Sequence, residues 1–453
     1  MKDEGDHGML DLGDAAVASQ EPARPGQPVL RWTSRARTIA DVERELSRIW
    51  AIPQLDVEVD GGRERRIAAR TSVMNLVVIA RRPELGERAG SIITALTGRH
   101  PSRTIVVSSV DPDGPSWIDG RVQAICMLPR EDAPETCAEF VNLVAGGESG
   151  AHLAAIVAPL LVHDLPVTVW WLGEPPFGRP EAAEVVALAD RLVVDGSTWS
   201  GDGLARLAQL ASLVSRGRPT VFDFALVRQA RWREAIAAVF DRPEFLPYLR
   251  SLRRISVTYA SSAPDRLDSA NLVKPVYHVA WLASRLDLAV VDALAPAAGP
   301  GGRPLPAARG LTATLAWEGH EVGVVIRPVA SSMPPGTTLR VELLAERRGS
   351  ELRADVTAEA ELVHVRVWED GVEALDRSFR APRRTEVELL MEAIEAADDD
   401  RVTAGAIRGA GELLGPGGRM HEGGRRSRPG GERATAVAGS LGTDPPDSDE
   451  TPA

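Results

Sequence analysis

The chain has 453 residues, 44% of them hydrophobic and 26% charged, with a formal net charge of −12 at pH 7. That length has room for two or three domains of ordinary globular composition. The acidic balance works against broad affinity for nucleic acid or anionic membranes. No run of about 18 apolar residues occurs, so no membrane span is expected. Met1 to Gln27 is polar and acidic without an apolar core, unlike a signal peptide. Lysine occurs only as Lys2 and Lys274; arginine carries nearly all the positive charge.

Residues 1–29 are expected to be disordered. Thr38 to Ile52 reads as a short helix with Leu46, Ile49 and Trp50 on one face. Thr71 to Ala80 is a near-continuous apolar run, suited to a strand buried on both faces. Glu84 to Thr97 follows with Ala89, Ile92, Ile93 and Leu96 at helical spacing, and Thr104 to Val110 is the next strand. Arg121 to Leu128 is a further strand, antiparallel at an edge. Helices at Gly150–Val162, Glu181–Ala189 and Gln229–Phe240, and a helix faced by Leu204, Leu207, Ala208, Ala211 and Val214, alternate with strands at Val167–Leu172, Leu192–Asp195 and Thr220–Ala225. This alternation predicts a mainly parallel, doubly wound α/β sheet over residues 30–245.

Beyond residue 245 the pattern changes. Ile255 to Tyr259 is a strand, and Val276, Val279, Ala280 and Ala283 mark a long helix ending at Leu286. Strand-like runs follow at Gly310–Trp317, Glu321–Arg327, Thr337–Glu346, Leu352–Ala358, Glu361–Trp368 and Val372–Phe379. Turn signals such as Glu318-Gly319 and Asp370-Gly371 separate them. Residues 246–398 therefore read as a smaller α+β domain with an antiparallel meander. It has a Pro/Gly/Ala-rich connection at 292–309 and a last helix at Thr385–Ala397. Residues 399–453 are too polar to bury a core and are expected to form a disordered tail, in which Arg425-Arg426-Ser427-Arg428 is a solvated basic run.

Chemical motifs are few. The turn after the first apolar strand reads Arg81-Arg82-Pro83-Glu84-Leu85-Gly86, with no dinucleotide fingerprint, and no Walker A sequence or nucleophile elbow occurs. Gly146-Gly147-Glu148-Ser149-Gly150 precedes a helix whose N-terminal N–H groups could hold an anion, but it better suits an ordinary flexible helix entry. His163-Asp164 has the residues of an acid/base pair but better suits capping at the turn before Pro166, and Lys274 could serve as a phosphate-binding lysine, although Pro275 after it suits a helix entry at least as well. No metal-ligand spacing is present. Cys126 sits in an apolar strand as inert core. Its distance from Cys137 excludes a compact Cys-x-x-Cys site, and two cysteines in so long a chain point to a reducing compartment. Trp170 and Trp171 end a strand and point to opposite faces. Arg228, Arg231 and Trp232 share a helical face, a composition favoured at protein interfaces.

Six stretches resemble the OpcA family, the glucose-6-phosphate dehydrogenase assembly proteins. They are Arg70-Thr71-Ser72-Val73-Met74-Asn75-Leu76-Val77-Val78; His100-Pro101-Ser102-Arg103; Asp164-Leu165-Pro166-Val167 through Trp170-Trp171; Ala189-Asp190-Arg191 with Asp195; Arg231-Trp232-Arg233-Glu234 with Phe240-Asp241; and Ala280-Trp281-Leu282-Ala283-Ser284-Arg285-Leu286. They stand in family order across about residues 65–290, with a looser match to about 395. The resemblance implies a cytoplasmic, non-enzymatic protein without cofactor or metal, which binds glucose-6-phosphate dehydrogenase and favours its active oligomer. Trp171, Arg191, Arg231 and Trp232 are the candidate partner contacts, and Trp170 and Trp281 the candidate core. The competing reading is a sugar-phosphate or nucleotide-binding enzyme with its site at the strand C-terminal ends, near Trp170, Trp171 and Asp195.

Overall fold

In the computed structural model the described residues are 17–18, 24–51, 56–59, 62–65, 69–70, 72–96, 99–111, 113–128, 130, 136–297, 310–359, 361–397 and 400–415. Expectations for residues 1–16, 19–23 and 416–453 lie outside them, as does most of the 292–309 connection.

Two large sheets organise these residues. The first contains β1 (Val17–Ala18), β2 (Pro28–Ala36), β5 (Ala69–Arg70), β6 (Met74–Ala80), β7 (Ser102–Val110), β8 (Trp117–Met127), β9 (Thr136–Gly146), β10 (Val167–Trp171), β11 (Arg191–Val194) and β12 (Thr220–Asp223). A separate hairpin joins β3 (Asp56–Val59) to β4 (Gly62–Arg65). The order is β1-β2-β8-β9-β7-β6-β10-β11-β12, with β5 on β9. From β9 to β12 the neighbours run parallel, and β8, β2 and β1 add an antiparallel flank. Every residue of β6 and of β10 is buried. The unbroken apolar runs thus become the doubly covered centre of a mostly parallel sheet, as expected.

The helices that matter for packing are α1 (Ile39–Ala51), α2 (Pro83–Thr94), α3 (Pro180–Ala187), α4 (Leu204–Ser215), α5 (Ala230–Phe240), α6 (Val273–Leu286), α7 (Glu386–Glu395) and α8 (Arg401–Leu414). The region read as one helix over Gly150–Val162 is instead a series of short helical segments, Gly147–Ala151, Leu153–Val157 and Ala158–Leu160.

The second sheet is built from β13 (Leu252–Ser261), β14 (Ala289–Pro296), β15 (Leu311–Trp317), β16 (His320–Ala330), β17 (Thr338–Arg347), β18 (Ser350–Glu359), β19 (Leu362–Glu369) and β20 (Val372–Arg380), in the order β14-β15-β16-β13-β17-β18-β19-β20. All pairs are antiparallel except β13 with β16. Its strands alternate buried and part-exposed residues, as in Val341, Leu343 and Ala345 against Glu342 and Leu344. One face is therefore core and the other is wet. Helix α6 packs against β13, β16 and β17, and α5 against β18, β19 and β20.

Three corrections to the sequence reading follow. Strands β2, β9 and β14 were not expected. β9 hides its period because Glu139 and Asn142 interrupt the apolar run, yet Glu139 is fully buried and satisfied by Arg103 at 2.6 Å and Trp50 at 2.5 Å. Second, Cys126 and Cys137 form a disulfide, because the β8–β9 register places them directly opposite one another. The argument from free thiols for a reducing compartment therefore falls. Third, the expected tail does not begin at 399. Helix α8 packs along α6 and α4 with Ala406, Ile407, Ala410 and Leu413 fully buried.

The glycines of this segment let α8 approach closely. A Cβ on Gly409 would stand 3.0 Å from the carbonyl oxygen of Ala280 on α6. Gly409→Val should therefore force the helices apart and destabilise the protein by about 1–3 kcal/mol. Urea unfolding checks this, and an unchanged midpoint would refute the close packing.

Candidate functional site

A polar cluster lies where α6 meets the C-terminal ends of β11 and β12, the end of a parallel sheet at which ligands are generally held. An aspartate, Asp195, directly follows β11, and another, Asp223, ends β12. Asp195 accepts from the Ser197 amide at 3.1 Å and hydroxyl at 2.6 Å, closing the turn Gly196–Thr198. Asp223 accepts from the amides of Gly196 and Ala225 and from the Tyr277 hydroxyl, each at 2.8 Å. A Cβ on Gly196 would fall 2.5 Å from an Asp223 oxygen, so only glycine lets the two strand ends meet.

Arg228 donates from Nη1 to both Asp195 oxygens at 2.8 and 2.7 Å and to Ser197 Oγ at 3.1 Å. The start of α6 is stitched to the same place. Gln229 donates to the Lys274 carbonyl at 2.8 Å, and Asn271 donates to the carbonyls of Gly196 and Trp199.

Burial sets the electrostatics. Asp223 is inaccessible, and burial, then the neighbouring charge of Asp195, pushes its carboxyl up to about 7. Burial and the Asp223 charge raise the Tyr277 hydroxyl well above its ordinary value. Burial, then Arg228, lowers the Lys274 ammonium. One turn along α6, His278 is 1% exposed and neither ring nitrogen has a hydrogen-bond partner among the described residues. Burial, then Arg233 and Lys274, takes its imidazole down to about 3. Among the described residues no group of three or more His, Cys, Asp or Glu side chains could hold a metal.

The four expected partner contacts do not form one surface. Trp170 is 1% exposed and packs on Phe224, while Trp171 on the other face is 3% exposed. Trp232 is buried against the His278 ring at 5.2 Å. Trp171 and Trp232 were expected at a partner surface; both are buried in this chain, because the sheet is covered on both faces and α5 turns its tryptophan toward α6. Arg191 sits at the opposite end of the strands from Trp171. It donates to the carbonyls of Ala393, Ile394 and Ala396, holding the C-terminal end of α7, and lies over the Phe222 ring. Arg231 is exposed and, among the described residues, pairs with Glu234 alone. Arg228, expected beside it, turns inward to Asp195. Trp281 is buried.

Sequence reasoning missed Asp223 and Tyr277. The available signal was an apolar strand ending on an aspartate that directly precedes Phe224. The Gly146–Gly150 turn leads only into a five-residue helix.

Comparison with known proteins gives the family. The model described as glucose-6-phosphate dehydrogenase subunit N-terminal domain matches residues 93–212, and that described as the C-terminal domain of the same subunit matches residues 219–407. The chain belongs to the OpcA family. The OxPP cycle protein OpcA of Nostoc punctiforme is 24% identical over 190 residues, 42% of this chain and 38% of that one. The protein of the same name from Synechococcus elongatus is 25% identical over 203 residues, 44% of this chain and 42% of that one. The chain thus spans about two fifths of the length of these OpcA relatives. Solved structures align loosely. An oxidoreductase from Sinorhizobium meliloti has 11% identity, a TM-score of 0.39 and coverage of 75% of this chain and 95% of that one. A dehydrogenase from Clostridium difficile has 10% identity, a TM-score of 0.34 and coverage of 75% and 98%. Likeness at that level carries no argument about the OpcA chain.

The buried pair Asp223 and His278 predicts a specific pH behaviour. Asp223 keeps its proton to about 7 when folded, against an ordinary 3.8, so its contribution is present at low pH and lost as pH rises through 7. His278 stays neutral down to about 3 when folded, against an ordinary 6.5, so its contribution is present above 6.5 and lost as pH falls toward 3. Between about 4 and 6.5 the two oppose each other. His278→Phe removes one of them. Relative to the parent, the variant should gain about 1.4 kcal/mol of stability for each unit the pH is lowered from 6.5 to 4.5. Urea titrations at three pH values measure this, and parallel pH profiles would refute it.

Proposed function

We propose that this chain binds glucose-6-phosphate dehydrogenase, favours its active oligomer, and so supports NADPH production in the oxidative pentose phosphate pathway without catalysis of its own. The observation that carries the reading is the pair of family models, described as the N- and C-terminal domains of a glucose-6-phosphate dehydrogenase subunit, matched in order from residue 93 to residue 407. The names of the cyanobacterial relatives, which place them in the OxPP cycle, support it. A cytoplasmic setting is part of the proposal; the buried Cys126–Cys137 disulfide is the feature that weighs against it.

Activation of this kind is a population shift. The protein must bind the active assembled enzyme more tightly than the inactive form, and a tenfold preference needs only about 1.4 kcal/mol. By linkage, ligands that favour the active enzyme tighten its grip on this protein.

Steady-state kinetics and sedimentation of the dehydrogenase, with and without this protein, test the reading. The expected outcome at micromolar concentration is a higher rate together with a larger oligomer. No change in rate, substrate KM or oligomer size would refute it. Of the four candidate contacts, Arg231 is the exposed one, and we propose it as a contact for the dehydrogenase. Arg231→Ala should melt like the parent, since a surface pair contributes little stability. It should bind the dehydrogenase about thirtyfold more weakly. Unchanged binding by titration would remove that helix from the interface.

A further inference from the structure

Helix α4 has a hollow on each side. Toward α3 lies one of about 430 Å³, with Phe177, Ala182, Val186 and Leu213 in its lining. Toward α8 and the edge strand β14 lies another of about 930 Å³, whose lining among the described residues is uncharged apart from Arg408 and Glu412. Gln209 and Ser212 border both hollows, so α4 is a ridge between them. The ridge is low, because Ala205, Ala208, Ser212 and Ser215 are small. Val291 of β14 stands beside it, 55% exposed. In a chain that is 26% charged, so wide a face with so few charges has the composition of an interface core.

The face is complementary to itself. Its apolar projection, Val291, lies on one side of α4, and the apolar hollow lined by Phe177 and Leu213 lies on the other. A twofold axis running along α4 exchanges the two sides, so each copy presents its projection to the other's hollow. The charges agree. Arg216 borders the α3 hollow and Glu412 the α8 hollow; both are exposed, and neither is paired with an opposite charge among the described residues. A Cβ on Gly411 would stand 2.6 Å from the Cβ of Ala211, which sets Glu412 nearly level with Ala211. Arg216 is five residues further on, about 7.5 Å along the helix, a gap that an arginine side chain spans. The same axis therefore brings Glu412 of each copy to Arg216 of the other.

We propose that α4 and its two hollows form the face through which a second copy of this chain docks about a twofold axis. The size is sufficient for a reversible dimer. Packed elements stand about 10 Å apart, and 12 residues of α4 extend about 18 Å. Four elements side by side thus offer about 500 Å² on each copy, about 1,000 Å² in all, at the lower limit for a specific interface. Two copies of net charge −12 repel one another, and a nearly uncharged face is where they approach at least cost. The dimer would present every dehydrogenase-contacting surface twice, and so bind an oligomeric enzyme with avidity. The proposal concerns the isolated protein and stands or falls apart from the dehydrogenase reading.

Sedimentation velocity of the full chain alone, from about 1 to about 100 μM, tests it. A reversible shift from monomer to dimer is expected. Ser212→Arg raises the ridge and Val291→Asp charges the projection. Both positions are exposed, so the variants should melt like the parent while dimerising at least tenfold more weakly. Glu412→Arg and Arg216→Glu should each weaken the dimer, and an equimolar mixture of these two should restore it, because each reversed charge then meets its opposite. A parent that stays monomeric to about 100 μM, or a dimer that Ser212→Arg and Val291→Asp leave intact, would overturn the proposal. So would a monomeric parent whose Ser212→Arg variant loses the dehydrogenase, which would assign the face to the enzyme instead.

Discussion

Helix α6 is the element on which the other parts rest. Ten of its residues are buried: Val273 and Pro275 through Ala283. It is packed by the second sheet through β13, β16 and β17 and by α8. Its start is tied to the first sheet by the Tyr277–Asp223 hydrogen bond and by Asn271 and Gln229. A helix that is apolar nearly all round has no face left for water. Its few polar groups must therefore be satisfied by the elements it joins, or remain as a cost. Tyr277 is satisfied; His278 has no hydrogen-bond partner among the described residues. The unpaired imidazole costs on the order of 1–3 kcal/mol, which the surrounding burial offsets.

The chain also closes on itself. Helix α7 follows the whole second sheet, yet Leu389, Leu390 and Ala393 pack into the first sheet's core with Leu76, Val106, Trp170 and Phe222. Arg191 fixes its last turn by donating to carbonyls that have no intrahelical partner, a favourable place for a cation. Arg88 with Glu386, and His100 with Glu395, tie its two ends to α2 and the turn after it. The partly exposed ion pairs add little individually; the buried leucines carry the attachment.

How much of this was legible depended on what local pattern can carry. β6 and β10 were readable because a strand covered on both faces is apolar at every position. The meander from β15 to β20 was readable from alternation and turn residues. β9 was not, because Glu139 and Asn142 break the apolar run, and the Arg103 that satisfies Glu139 lies on another strand. Helix α8 was not, because glycine at a close helix crossing looks in sequence like glycine in a coil. The disulfide depended on the β8–β9 register, which spacing alone does not fix. The candidate site was half visible: Asp195, Arg228 and Lys274 were each in view, but they join Asp223 and Tyr277 only through the placement of α6.

The late return of α7 has a consequence for synthesis. A ribosome releases the strands of the first sheet long before it reaches Leu389, an interval on the order of ten seconds at ordinary elongation rates. Throughout that time the layer containing Trp170 and Phe222 lacks part of its cover. The nascent first sheet is thus a sticky, unfinished surface while the second sheet is being made, and chaperone occupancy should be greatest in that window.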